Sequence, residues 1–156
     1  VLEPSAGEGG IAAVLLEQLP DIELVCVEPD PGRYATLVTN GFGGALLRTT
    51  AHPVTFEMHH DLGPRYDGIV MNPPFTLPGR PLAWVDHVLL AWDLLRPGGV
   101  LSAAVPNSLA TRNHHRVEVL RDLLDGKHGS YVDLPPHAFM PATAVATLHL
   151  VMNKPL

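Results

Sequence analysis

The first residues that could do chemistry are a glycine-rich segment and an acid that follows it at a fixed distance. Gly7-Glu8-Gly9-Gly10-Ile11-Ala12 fits the pattern G-x-G-x-x-A, in which glycines let the backbone turn tightly and approach a ligand closely. Glu28 follows about 20 residues on, where a carboxylate can accept hydrogen bonds from ribose hydroxyls. The pair predicts a site for an adenosine cofactor without distinguishing a dinucleotide from other such cofactors.

Two further acids narrow the choice of cofactor. Glu3 lies just before the glycine segment, where a carboxylate would repel a pyrophosphate but suits an ammonium or sulfonium group. Asp61, which we assign to the end of a third strand, can accept a hydrogen bond from the exocyclic amine of adenine. Acids at three successive strand ends therefore favour a cationic nucleoside such as S-adenosylmethionine.

Alternating strands and helices must position these acids. The predicted strands are Val1–Glu3, Ile22–Glu28, Val54–Met58, Tyr66–Met71, Val100–Val105, Tyr131–Leu134 and Ala144–Met152, with amphipathic helices between them and a loop over Phe42–His52. This order predicts an α/β fold, a Rossmann-like doubly wound sheet of seven mostly parallel strands with an antiparallel C-terminal hairpin strand. Because ligands bind outside the carboxyl ends of such strands, we expect one crevice lined by the residues at those ends: Glu3–Gly10, Glu28, Asp61, Asn72–Phe75 and Pro106–Arg112.

The motifs at those ends resemble the class I S-adenosylmethionine-dependent methyltransferases, and in particular their N6-adenine DNA methyltransferase branch. Asn72-Pro73-Pro74-Phe75 matches the branch's catalytic N-P-P-[FY] motif, and Leu134–Phe139 resembles the start of its final hairpin. The resemblance implies that the cofactor is held by Glu3, Pro4, Ser5, Ala6, Gly7, Gly9, Glu28, Pro29, Asp61, Leu62 and Asn72.

The resemblance also implies a mechanism for the Asn72–Phe75 loop. The exocyclic amine of adenine is a poor nucleophile because its lone pair is delocalised into the ring. The side-chain oxygen of Asn72 and the backbone carbonyl of Pro73 would accept from its N–H groups and favour a pyramidal nitrogen. Pro74 has no competing N–H, and Phe75 offers a face on which an extruded base can stack.

Four basic residues could hold substrate phosphates beside this loop: Arg80, Arg112, His114 and Arg116. An ordinary solvated loop and helix face explains the last three equally well. The pairs His59-His60 and His114-His115 invite a metal site, but adjacent histidines point in different directions on a strand and the proposed chemistry needs no metal. We therefore predict no metal site.

Composition and charge bear on partners and location. The lone cysteine, Cys26, excludes a disulfide framework and indicates a reducing compartment, the cytoplasm, and no apolar stretch is long enough for a membrane span. The net charge of −6 arises wholly within residues 1–60, which hold eight acids and two bases. We expect a nucleic-acid substrate, most readily DNA, that is gripped with help from a target-recognition domain or partner subunit.

Val1–Glu3 is shorter than an ordinary strand, so we expect residues 1–156 to form a single methyltransferase domain truncated at its N-terminal edge. Three alternatives remain open. Similar loops occur in enzymes that methylate RNA bases, at adenine N6 or guanine N2, or protein glutamines. The glycine segment and Glu28 also fit an NAD-dependent oxidoreductase, against which Glu3, Asp61 and the Asn72–Phe75 loop count. A non-catalytic partner subunit is a further possibility, against which the intact loop counts.

Overall fold

The computed structural model describes residues 1–44, 48–63, 65–135 and 145–156, with only the backbone at Lys127. The strands are β1 Leu2–Glu3, β2 Leu24–Val27, β3 Thr49–His52, β4 Tyr66–Met71, β5 Leu95–Pro106, β6 Gly129–Asp133 and β7 Thr147–Asn153. The helices are α1 Gly10–Gln18, α2 Pro31–Thr39, α3 Phe56–Asp61, α4 Ala83–Leu94, α5 Ser108–Thr111 and α6 His115–Leu123, and α6 continues into a π-helical turn, Leu124–His128.

Within these residues the strands form one sheet in the order β3-β2-β1-β4-β5-β7-β6. Strands β1 to β5 run parallel, while β7 pairs antiparallel with β5 and β6 on either side of it. The predicted fold class, with its antiparallel C-terminal strand, is confirmed. The chain reverses its direction of winding between β1 and β4, which is the point where doubly wound sheets bind their ligands.

The third strand was predicted in the wrong place. Strand β3 is Thr49–His52, inside the segment that was expected to be a loop, and Leu24–Val27 pairs with it residue by residue. The predicted strand Val54–Met58 instead enters helix α3, because the Thr55 side chain accepts a hydrogen bond from the backbone N–H of Met58 and caps the first turn. The acidic Glu57 in that turn favours the helix further.

The core lies on both faces of the sheet, as expected for strands covered by helices. Trp84 of α4 is 1% exposed and packs in the larger cluster with Ile69 and Leu101. Cys26 is fully buried in the smaller cluster beneath α1 and α2. None of the helices in the described ranges is long and apolar enough to cross a membrane. The Leu134–Phe139 segment lies outside the described residues from position 136 onward.

Candidate active site

The turn from β1 into α1 depends on a glycine at position 9. Gly9 has a φ of 96°, and a Cβ there would meet the rings and methyl groups of Phe42 and Leu37. Its N–H donates to the Ala6 carbonyl at 2.9 Å, while the Ala6 N–H donates to Val27 at 3.0 Å. The loop is therefore held against β2. Gly9 allows the close packing of the loop on Phe42 and Leu37, and it does not line the cavity described below.

Glu28, at the end of β2, ties this loop to the next one. One carboxylate oxygen accepts from the Gly7 N–H at 2.9 Å, and the other accepts from the Asp30 N–H at 2.8 Å. Arg33 lies 3.5 Å from the same carboxylate, which is itself 3% exposed. Each oxygen keeps a second lone pair for a ligand hydroxyl, so Glu28 can both hold the glycine loop and bind a ribose.

Glu3, at the end of β1, is a buried carboxyl group. It is 1% exposed, and its Oε2 atom has no hydrogen-bond partner in the described part of the chain. Burial raises the pKa of Glu3 to about 8, and a hydrogen bond from the Ala12 backbone offsets this only in part. A buried acid at a ligand-binding edge, with Oε2 left without a partner among the described residues, fits a cationic group that arrives with the ligand.

A cavity of about 570 Å³ lies at the carboxyl ends of β1, β2 and β4, where the crevice was predicted. It brings together ten of the predicted site residues: Glu3, Pro4, Ser5, Ala6, Gly7, Glu28, Pro29, Asn72, Pro74 and Arg80. Of its remaining lining residues, Gly10 and Ile11 belong to the predicted glycine segment, whereas six others were not predicted: Arg33, Thr55, Phe56, Glu57, Leu77 and His87. Residues 106–112, which were expected in the crevice, do not line it. Two sequence signals of a helix start were present near Phe56: Thr55 as an N-cap residue and the acidic Glu57 in the first turn. They could have predicted α3 at this position.

The loop predicted to be catalytic, Asn72–Phe75, follows β4 directly. Asn72 is exposed and lines the cavity with Pro74, whereas Pro73 is buried. Phe75 is half-buried against the larger core cluster and does not line the cavity. The loop then closes in a tight turn in which Leu77 and Arg80 exchange backbone hydrogen bonds of 3.0 and 2.8 Å, with Gly79 at a φ of 72°.

The placement of Asp61 and Leu62 was wrong. Asp61 is the last residue of α3 and not the end of a strand, and its side chain is 83% exposed and contacts His60 at 3.7 Å. Leu62 is 75% exposed. Neither lines the cavity, because the third strand ends at His52 and α3 carries the chain away from its edge before position 61.

Two of the four candidate phosphate contacts are paired with acids. Arg80 bonds to Glu57 of α3 and, at 3.1 Å, to Asp86 of α4. Arg116 of α6 lies 2.5 Å from the other oxygen of Asp86, whose side chain is 10% exposed. Arg112 is exposed, and His114 caps α6 by accepting from the Arg116 N–H, so the structure places both outside the cavity.

His87 of α4 lies beside this ion-pair network. It is 5% exposed, its Nε2 atom is 3.3 Å from Glu57, and the ring of Phe56 meets it edge-on at 5.4 Å. Burial lowers the pKa of His87, so the imidazole is neutral at pH 7. No sequence pattern singled out this residue. Among the described residues no group of three His, Cys, Asp or Glu side chains is placed to hold a metal ion.

Comparisons with known proteins relate the chain to methyltransferases by sequence and by fold. No protein-family model matches the chain. Ribosomal RNA small subunit methyltransferase C of Shewanella pealeana is 37% identical over 79 residues, which is 48% of this chain and 21% of that protein. The chain therefore spans about a fifth of the length of the curated relatives it matches.

Two solved structures superpose on nearly the whole chain. The methyltransferase subunit of a type I restriction-modification system from Streptococcus thermophilus has a TM-score of 0.81 at 16% identity, over 98% of this chain and 39% of that one. A Listeria monocytogenes protein classed as a class I S-adenosylmethionine-dependent methyltransferase has a TM-score of 0.76 at 18% identity, over 99% and 53%. Fold and sequence resemblance thus coincide, and the chain has the fold of the class I S-adenosylmethionine-dependent methyltransferases.

Proposed function

We propose that the protein transfers a methyl group from S-adenosylmethionine to the exocyclic amine of a nucleobase, adenine N6 in DNA as the first candidate. One observation carries the proposal: Asn72 and the buried Glu3, whose Oε2 atom lacks a hydrogen-bond partner among the described residues, line the same cavity at the point where the sheet reverses. The Shewanella relative and both solved structures are described as methyltransferases, which supports the reaction class.

The cavity fits the proposed cofactor. Glu3 supplies a carboxyl group for the ammonium of the methionine moiety, and Glu28 supplies free lone pairs for the ribose hydroxyls. The Gly7 and Gly10 backbone and Ile11 line the wall between these acids. When bound, S-adenosylmethionine supplies an electrophilic methyl group on a sulfonium.

The chain's own part of the reaction is to hold and activate the amine. The Asn72 amide oxygen and the Pro73 carbonyl would each accept a hydrogen bond from the amine, which favours a pyramidal nitrogen with a free lone pair. The proline at position 74 offers no N–H to compete for these acceptors. Catalysis then rests on positioning and electrostatics, with most of the barrier reduction coming from a preorganised site.

A base in RNA is the second candidate acceptor, and a specific observation favours it. The Shewanella relative at 37% identity acts on ribosomal RNA by its name, whereas the restriction-modification subunit is similar at 16%. A protein glutamine presents the same N–H groups to Asn72, and the protein pool in the assay below tests it. An NAD-dependent oxidoreductase is disfavoured because the loop after β4, which lines the cavity through Asn72 and Pro74, matches the catalytic motif of the methyltransferases.

The test is transfer of tritiated methyl from S-adenosylmethionine to separate pools of DNA, RNA and protein, with the full-length protein. Asn72→Ala should lower transfer by about a hundredfold or more, since it removes one of two acceptors on the reacting amine, while S-adenosylhomocysteine affinity stays within about threefold. Asn153→Ala, at the exposed end of β7, is the matched control and should keep full activity. Normal turnover by Asn72→Ala would refute the assigned role, and NADH binding without S-adenosylhomocysteine binding would refute the function.

A further inference from the structure

Arg80 connects three parts of the site. Its backbone closes the tight turn that ends the catalytic loop, through the paired hydrogen bonds with Leu77. Its guanidinium bonds to Glu57 at the start of α3 and to Asp86 in the first turn of α4. A planar guanidinium suits this arrangement, since its separate N–H groups can serve two carboxylates at once.

The charges around Arg80 balance without a substrate. Asp86 meets Arg80 through one oxygen and Arg116 through the other, so two guanidinium groups compensate two carboxylates, those of Glu57 and Asp86. The neutral His87 adds no charge to the cluster. A phosphate bound here would compete with two carboxylates already in contact with the arginine, which argues against the phosphate-binding role predicted from the sequence.

The two carboxylates belong to helices that form the cavity wall, and Glu57 and Arg80 both line it. Arg80 is thus fixed to the wall at one end and to the catalytic loop at the other. We propose that Arg80 is a positioning residue: by bridging Glu57 and Asp86 it holds the Asn72–Leu82 loop in the geometry that methyl transfer needs, and it does not bind substrate phosphates. The predicted fall in kcat rests on the function proposed above. The predicted effect of Arg80 on the order of the loop does not.

The experiment compares Arg80→Met, Arg80→Lys and Glu57→Gln in the full-length protein. Arg80→Met should lower kcat by about tenfold or more, with KM for nucleic acid and Kd for S-adenosylhomocysteine within about threefold of wild type. Arg80→Lys should be intermediate, because one ammonium cannot match the fork that meets both acids. Glu57→Gln should lower kcat less, since the bond from Arg80 to Asp86 survives.

Two readouts separate positioning from phosphate binding. If Arg80 contacted a phosphate, Arg80→Met would reduce the slope of log K against log salt by about one, and Glu57→Gln would tighten nucleic-acid binding by freeing the arginine. Either result overturns the proposal, as does a kcat within twofold of wild type. An unchanged salt slope with a lowered kcat supports it.

Amide hydrogen exchange over residues 72–82 keeps the inference testable if the protein methylates none of the pools, in which case the proposed function alone fails. Exchange of the hydrogen-bonded Leu77 and Arg80 amides should rise at least tenfold in Arg80→Met, and unchanged protection of both would refute the role. If Arg80→Met does not fold, Glu57→Gln decides by the same measurements. Arg96→Met is the matched control, because that arginine makes two 2.9 Å bonds to Asp67 at the opposite end of the sheet.

Discussion

Replacing Glu3 with glutamine tests the electrostatics of the cofactor end of the cavity. The carboxyl group is 1% exposed and its Oε2 atom lacks a partner in the described residues, so burial raises the pKa of Glu3 to about 8. Glutamine keeps the shape of the side chain but carries no charge at any pH. The pH dependence of the difference in stability between the two proteins therefore reports on this one group.

The sign of the effect follows from proton linkage. Between the ordinary value of 4.5 and the folded pKa of about 8, the unfolded chain has lost the proton of Glu3 while the folded chain retains it. The unfolded state then binds fewer protons, so this group lowers the free energy of unfolding as pH rises through that window. At about 1.4 kcal/mol per pH unit, the loss reaches roughly 3 kcal/mol at pH 7 and about 5 kcal/mol at pH 8, where it levels off.

The assay is urea unfolding of the ligand-free protein, followed by circular dichroism from pH 4.5 to 8.5. The unfolding free energy of Glu3→Gln minus that of wild type should grow by about 3 kcal/mol between pH 4.5 and 7. Glu17→Gln is the matched control, because that carboxylate lies on the exposed face of α1. If the free-energy difference between Glu3→Gln and wild type changes by less than about 1 kcal/mol between pH 4.5 and 7, the pKa of Glu3 is raised by less than one unit. That result would refute the conclusion that the buried carboxyl stays protonated.

Two further changes test how the neighbouring acids are placed. Glu28→Gln should lower the free energy of unfolding by about 2 kcal/mol in a urea titration. The reason is that the new amide nitrogen would face one of the two backbone N–H donors, those of Gly7 and Asp30. An unchanged midpoint would show that the glycine loop does not depend on this carboxylate. Asp61→Ala should leave the free energy of unfolding within about 0.5 kcal/mol of wild type. Its affinity for S-adenosylhomocysteine in calorimetry should stay within about twofold, because the Asp61 side chain is 83% exposed and does not line the cavity. A tenfold weaker affinity would support the role predicted from the sequence.

The strands with continuous apolar runs were predictable from the sequence, and the short elements were not. Tyr66–Met71 was predicted with the observed bounds, because its run is near-continuously apolar, broken only by Asp67 near its start, as expected for a strand covered by helices. Strand β3 has only four residues, two of them threonine, and α3 has six, less than two helical turns. Neither is long enough to show a period, so the more apolar Val54–Met58 was taken as the strand.

The same error explains why the residues at the start of α3 were missed at the site. Topology alone places the ends of β1, β2 and β4 at one edge, so Glu3, Glu28 and Asn72 were found from their positions in the sequence. In the structure the third strand ends at His52 and not near Asp61. Helix α3 follows it and places Thr55, Phe56 and Glu57 at the cavity. The pairing of Arg80 with Glu57, 23 residues earlier, depends on how α3 packs beside the catalytic loop, which no local pattern encodes.

The net charge of −6 already disfavours tight binding to phosphates, and the pairing of the arginines with acids disfavours it further. Arg80 and Arg116 are compensated by acids, and Arg121 donates to the backbone carbonyls of Ala110 and Arg112. Phosphate neutralisation supplies most of the sequence-independent affinity for nucleic acid, and paired arginines contribute little to it. Of the predicted phosphate contacts, Arg112 and His114 remain without an acidic partner among the described ion pairs, and both lie outside the cavity. If the substrate is a nucleic acid, as proposed above, the paired Arg80 and Arg116 are therefore not free to bind its phosphates.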